Sequence, residues 1–555
     1  MSRALPALVL FLGAALPVPG AAPPPAGAGD RIDFVFLGST RPYLIRFHVR
    51  VGDKPYGAEW DAFTDRLFAW FDRDGDGTLS KAEAARLPRG HAVGHLADTG
   101  VITNEPPVPF ADIDANKDGK VSRAEFRNYY DRNGLAGVAC SFGNSGPAEV
   151  RRINDAILNR LDRKGDGRLT AAKVARFYEK LRALDENGDE ALSREELTPA
   201  AVAGGDQPDF RLEERLQRIR PEYAANLAWK IFGKYGRNKR GGLTRREIGL
   251  DEAAFARLDT DKDGSLSYVE LWKYASGEPD FVFRIQLGPS APRPAGSRVT
   301  LVNAKGIDPV MKKKFRRGPG DACHLELDGV RLAFHPHPEK KRELRVEGLR
   351  EYYFDLYDKA SGKKGHVTRE DLKAAGAKIL LAIFPQADKN ADGKLTRGEI
   401  IAWLDFAKTA RDAGLAVVCQ DHGRSLFDVL DTDGDERLTL REMRSAWERL
   451  GPLAKDGSVG RGDLPRTIRI DFMVGNAHAF SASAPGSARW QRAIGLWEAR
   501  PKTPPWFDKM DKNNDGDISP REWLGTDEEF KAIDADGDGL ISVAEALAFE
   551  AKKKK

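Results

Sequence analysis

Three cysteines, Cys140, Cys323 and Cys419, are too few in 555 residues to staple the chain, and their odd number leaves at least one unpaired. The chain has no phosphate-cradling P-loop, no dinucleotide fingerprint, no haem-attachment motif and no Ser/His/Asp order, so none of those chemistries has a footing in the sequence. Neither sign of charge dominates: 88 Lys and Arg against 84 Asp and Glu leave +4, far from the basic excess of a nucleic-acid binder. Beyond the first twenty residues no apolar run is long enough to cross a bilayer, so no membrane span is expected. What remains, at 41% hydrophobic and 31% charged, is a long, well-solvated globular chain.

The N-terminus has Arg3, an apolar run from Ala4 to Val18 and small residues from Gly20 to Ala22. This pattern predicts a secretory signal peptide over 1–22 and a secreted, periplasmic or extracellular location.

The densest signal is DKNNDGDISPREWLGTDEEFKAIDADGDGLISVAE, from Asp511 to Glu545, which holds two twelve-residue acidic loops in tandem. In the first, Asp511, Asn513 and Asp515 put oxygen ligands at positions 1, 3 and 5, Asp517 offers its carbonyl at 7, Ser519 stands at 9, and Glu522 closes the shell at 12. Calcium takes six to eight oxygens at ~2.3–2.6 Å, and a loop encloses it only by turning sharply at position 6, here Gly516. The second loop repeats this with Asp534, Asp536, Asp538, Gly539, Leu540 (carbonyl), Ser542 and Glu545. Four earlier loops are equally complete. They are Asp72, Asp74, Asp76, Thr78 and Glu83; Asp114, Asn116, Asp118, Lys120 and Glu125; Asp259, Asp261, Asp263, Ser265 and Glu270; and Asp388, Asn390, Asp392, Lys394 and Glu399. Lysine at position 7 is harmless because only its carbonyl is needed.

Two further loops are marginal. Asp185, Asn187, Asp189 and Glu196 surround Glu190, and Asp431, Asp433, Asp435 and Glu442 surround Glu436, each with glutamate where the turn glycine belongs. Left-handed backbone costs a non-glycine residue about 1–2 kcal/mol. Four more have lost their ligands: Asp162–Lys173, with Lys164 and Lys173 at positions 3 and 12; Gly236–Glu247; one starting at Asp358; and a remnant at Pro452–Asp463. Position 8 is apolar in all twelve.

These residues resemble the EF-hand superfamily, which implies helix-loop-helix units working in pairs through a short strand at position 8, with calcium as the ligand. The whole is similar to large exported multi-EF-hand proteins of bacteria that lack an assigned function. Loop starts recur at offsets of 274, 269 and 275 residues (Asp114 to Asp388, Asp162 to Asp431, Asp259 to Asp534), and GLAGVAC at Gly134–Cys140 recurs as GLAVVC at Gly414–Cys419, so a six-hand unit is duplicated.

Strand signals stand outside the loops: FVFL, YLIRFHVRV, FVFRIQL and VTLV, the hairpin HLELDGVRLAF with a type I′ turn at Asp328-Gly329, and a second hairpin at Ile468–Phe480. The expected fold is mainly α with minor β: tandem paired hands with β-hairpins, divided into a first β plus six-hand unit over 30–290, a linker over 291–320 and a second such unit over 321–555. His91 and His95, His335 and His337, and Arg461-Gly462-Asp463 read as chance spacings. Basic runs such as Lys312–Arg317, Lys340–Arg342 and Lys552–Lys555 leave an anionic extracellular polymer or another protein as conceivable partners. The function expected is calcium binding without catalysis, calcium being structural. The alternative is a calcium-dependent enzyme or adhesin working through its β segments.

Overall fold

The strand segments alternate too little to be half-solvated: RIDFVFL at 31–37 has apolar residues on both faces, and a strand of that kind must be covered on both sides. A computed structural model shows how. It describes residues 29–90, 93, 108–133, 137–143, 146–162, 165–197, 212–219, 224–236, 242–287, 299–302, 315–317, 323–336, 343–362, 364–432, 437–474, 503–513 and 515–553. The leader, the 288–298 stretch, Lys164, His91, His95, His337, Asp433, Asp435 and Glu436 lie outside them.

Eleven strands build two large sheets. In chain order they are β1 (Arg31–Leu37), β2 (Pro42–Val51), β3 (Val138–Gly143), β4 (Leu216–Arg218), β5 (Phe281–Leu287), β6 (Val299–Leu301), β7 (Phe315–Arg317), β8 (Cys323–Leu327), β9 (Val330–Pro336), β10 (Leu415–Gly423) and β11 (Arg466–Val474). One sheet runs β6-β5-β2-β1-β4, with Lys54–Pro55 added beside β2, and the other β7-β8-β9-β11-β10-β3. In both, a hairpin (β1–β2, β8–β9) receives a third strand parallel to its second arm. Asp328 and Gly329 turn the β8–β9 hairpin with φ of 51° and 77°, the positive pair a type I′ turn requires.

The sheets face each other. Ile32, Phe34, Ile45, Phe47 and Phe283 from the first meet Leu325, Phe334, Ile470 and Phe472 from the second in one buried cluster. Phe47 centres it, with ring centroids 5.7, 5.3 and 5.0 Å from Phe283, Phe334 and Phe472. Each such ring contributes about 1.5–3 kcal/mol by leaving water. Val35, Leu37 and Leu44, on the opposite face of the first sheet, pack beneath the fifth and sixth hands with Leu227, Ile231 and Leu266. The helix Gly146–Leu161 lies against β10 of the second sheet.

This architecture corrects the expectation of a mainly α fold with minor β. Helix makes up 46% and strand 24% of the described residues, and the strands form the central layer. The reading failed because β3, β10 and β11 are lone strands between hand pairs, and what makes them a sheet is pairing between residues roughly 45 to 280 positions apart. The recurring GLAGVAC and GLAVVC segments are partners: Cys140 lies opposite Val417, and Cys419 opposite Phe142. Residues 468–474 belong to the single strand β11, flanked by β9 and β10, and 475–480 fall outside the described residues.

All twelve position-8 residues are buried: Leu79, Val121, Leu169, Leu192, Leu243, Leu266, Val367, Leu395, Leu438, Val459, Ile518 and Ile541. Eight of the hands pair with a sequence neighbour, at Leu79↔Val121, Leu243↔Leu266, Val367↔Leu395 and Ile518↔Ile541. The other four pair across the chain: the third hand with the tenth (Leu169↔Val459) and the fourth with the ninth (Leu192↔Leu438). The first pair also packs on the pair formed by the seventh and eighth hands, Phe63, Phe68 and Phe126 sharing a core with Tyr353, Leu380 and Trp403.

Candidate calcium centres

Five of the six complete loops sit between two helices whose ends define them. Helices such as Tyr56–Phe71 and Glu252–Leu258 end at the position-1 aspartate, and the following helix begins after a position-9 Ser or Thr. In the eleventh loop a turn follows Ser519, and the next helix, Asp527–Ile533, is capped by Thr526. The position-9 residue and the position-12 glutamate form a capping box: Ser80 with Glu83, Ser122 with Glu125, Ser267 with Glu270. The glutamate is thereby fixed at both oxygens. Glu83 Oε1 accepts from the Arg73 N–H at 2.7 Å while Oε2 accepts from the Ser80 N–H at 2.8 Å. Glu545 does the same with Ala535 at 2.7 Å and Ser542 at 2.8 Å.

The position-1 carboxylate braces the turn by accepting the position-6 N–H, as Asp72 from Gly77 at 3.1 Å and Asp534 from Gly539 at 3.0 Å. The turn glycines Gly77, Gly119, Gly264, Gly393, Gly516 and Gly539 have φ between 77° and 87°, where a side chain would be strained.

Three observations fit this frame to a hard cation. One oxygen each from Asp72, Asp74 and Asp76 lie within 4.8 Å of one another, as do those of Asp259, Asp261 and Asp263, and of Asp534, Asp536 and Glu545. The Oδ1 atoms of Asp72, Asp259 and Asp388 are buried with no hydrogen-bond partner among the described residues. A buried carboxylate oxygen left so needs a ligand to offset its lost hydration. In the eleventh loop, burial together with Asp517 and Asp511 pushes the Asp515 carboxyl up to about 7, which a bound cation would reverse. The loops therefore hold oxygen ligands of the number and hardness calcium takes, from Asp, Asn and Glu side chains plus the position-7 carbonyl.

The fourth loop keeps the same frame despite Glu190, which takes φ of 61° and donates its N–H to Asp185 at 3.0 Å. Glu196 accepts from Glu186 at 3.1 Å and Ser193 at 2.8 Å. In the ninth loop Glu442 accepts from the Thr432 hydroxyl at 2.8 Å and the Thr439 N–H at 3.0 Å.

In the third loop Lys173 does more than repel a metal. Its Nζ donates to Asp162 Oδ1 at 2.8 Å, Asp166 Oδ1 at 2.9 Å and the Arg168 carbonyl at 2.8 Å, which are the position-1, -5 and -7 oxygens. The ammonium stands in for the cation, and its hydrogen bond holds the Asp162 carboxyl down at about 2. The paired tenth loop does likewise, Asp463 meeting Lys455 at 2.9 Å and Arg168 at 3.2 Å.

Sequence reasoning missed the cations that reach from one loop into another. Lys120 Nζ donates to Asp76 Oδ2 at 3.2 Å across the first pair. Arg441, from the ninth hand, bonds Asp517 Oδ2 at 2.7 Å and Oδ1 at 2.9 Å and Asp538 Oδ2 at 2.7 Å. Lysine at position 7 was the one hint; nothing local marks Arg441.

Five segments, 65–86, 109–128, 250–273, 505–524 and 527–545, match the EF hand family. They hold the first, second, sixth, eleventh and twelfth loops. The chain is 31% identical over 116 residues to Probable calcium-binding protein CML16 of Oryza sativa subsp. japonica, a match that spans 21% of this chain and 57% of that protein. The chain thus spans little more than half the length of this curated relative. No solved structure matches it.

Proposed function

We propose that this EF-hand chain is an exported calcium-binding protein in which the ion is structural, ordering and stabilising hand pairs around a β-sandwich, without catalytic activity. The observation that carries the calcium reading is the convergence of carboxylate oxygens in the first and sixth loops around the buried Oδ1 atoms of Asp72 and Asp259, which have no hydrogen-bond partner among the described residues. The similarity to a protein named as a probable calcium-binding protein supports the same ligand. Export rests on the composition of residues 1–22.

The stabilising role follows from packing. Hand pairs cover the first sheet and join chain segments far apart in sequence, so an ion that neutralises their clustered carboxylates favours the folded state by mass action. The strands that an enzymatic or adhesive reading would use have their inner faces in the sandwich core. Calcium titration by calorimetry on the full chain, beside melting with and without chelator, tests the proposal. Saturable binding at several sites and a large fall of the melting midpoint in chelator are expected. An unchanged melt overturns the stabilising role, and an absence of binding heat overturns the calcium reading.

A further inference from the structure

The C-terminal pair (505–553) has its own small core of Phe507, Ile518, Phe530, Ile533 and Ile541. It meets the rest of the protein through its loops. Leu540, at position 7 of the twelfth loop, packs into the core of the third, fourth, ninth and tenth hands. Around it the contacts are polar: Asn513 Nδ2 donates to the Asp189 carbonyl at 2.7 Å, Arg437 Nη1 to the Asn513 carbonyl at 3.1 Å, and Arg444 Nη1 to the Asp538 carbonyl at 2.7 Å.

Arg441 stands between the two loops. Its two bonds to Asp517 form a fork, and Asp517 is free to be held this way because position 7 supplies only its carbonyl to a metal. The third bond takes Oδ2 of Asp538, the position-5 ligand of the twelfth loop, whose Oδ1 already accepts the Leu540 N–H at 2.9 Å. Both oxygens of that ligand are thus engaged. The sixth loop differs: its convergent group includes the position-5 carboxylate Asp263, whereas in the twelfth the group is Asp534, Asp536 and Glu545 without Asp538. In the first loop Asp76 stays in the convergent group although Lys120 bonds its Oδ2 at 3.2 Å, a lone ammonium without the fork that anchors Arg441.

We propose that Arg441 is a resident counter-cation that competes with calcium for Asp538, so that filling the twelfth site requires the Arg441–Asp538 contact to break and loosens the C-terminal pair from the ninth hand. This inference rests on the calcium reading above. The fork to Asp517 holds the guanidinium in place without using a ligand carboxylate of either loop, so the charge opposes the incoming ion whether or not the eleventh site is filled. A unit charge this near a divalent ion, well hydrated at a half-exposed site, shifts affinity by about three- to tenfold.

Hydrogen exchange by mass spectrometry on the full chain, followed along a calcium titration, resolves the loops separately. In Arg441→Gln the calcium midpoint for protection of the 534–545 peptide should fall about three- to tenfold, while that of the 72–83 peptide stays put. In the unmutated chain, exchange of 440–444 should rise as 534–545 becomes protected. An unchanged or raised 534–545 midpoint in Arg441→Gln overturns the proposal. If that variant unfolds the C-terminal pair, seen as full exchange around Phe530 and Ile533 without calcium, Arg441→Met decides. Methionine keeps the aliphatic stem and removes the charge, so a midpoint below that of the unmutated chain supports the competition and one equal or higher overturns it. Absence of calcium-dependent protection at both 72–83 and 534–545 would instead overturn the calcium reading itself.

Discussion

Lys173 and Glu545 occupy position 12 of their loops and behave as opposites. The lysine brings its own cation to the Asp162 and Asp166 carboxylates, so the third loop is complete without metal. The glutamate brings two oxygens, tethered by Ala535 and Ser542 and aimed beside Asp534 and Asp536. Replacing Glu545 with Gln removes a charge and one good ligand oxygen, so calorimetry should show one site lost or greatly weakened, and the eleventh loop weakened through the Ile518↔Ile541 contact. Lys173→Gln should leave calcium stoichiometry unchanged but lower the melting midpoint in chelator, because two carboxylates and a carbonyl lose their ammonium. A calcium lost on changing Lys173 would mean the third loop is misassigned.

At the scale of the element, the unit of this fold is the pair of hands joined at position 8, and its most informative members are the two crossed pairs. Leu192 and Leu438 are fully buried where the fourth and ninth hands meet. The same two hands are joined by ion pairs of Arg437 with Asp189 and of Arg194 with Asp428. Leu192→Ala should cost about 2–5 kcal/mol, read as a shifted denaturation midpoint. Hydrogen exchange should rise in both 185–197 and 437–444, although some 250 residues of chain separate them. A loss of protection confined to 185–197 would contradict the crossed pairing.

For the whole molecule, the sandwich and the crossed pairs make residues on either side of the 303–314 stretch depend on each other. β3 completes a sheet otherwise built from later residues, and the first sheet, built from earlier residues, shares its buried core with that second sheet. Cutting the chain within 303–314 should therefore leave two fragments that stay together through gel filtration and separate only on denaturation. Each fragment expressed alone should expose its half of the Phe47–Phe472 core and aggregate. Two soluble, independently folded fragments would show that the contacts between them are dispensable.

The calcium loops were legible in the sequence because their chemistry is local: ligands, turn glycine, apolar position 8 and closing glutamate all lie within twelve residues. The β8–β9 hairpin was legible for the same reason, since its turn needs only Asp328 and Gly329 to accept positive φ. Which hand pairs with which was not. Leu169 and Leu192 carry the same position-8 signal as Leu79, and nothing near them says that their partners are Val459 and Leu438 rather than each other. The weight of the β layer was hidden likewise, because a lone strand such as Leu415–Gly423 becomes sheet only when β11 and β3 supply its hydrogen bonds. Arg441 is the sharpest case. On its own helix it is an ordinary surface arginine, and only the docking of loops some 75 to 100 residues further along makes it the neighbour of two calcium sites.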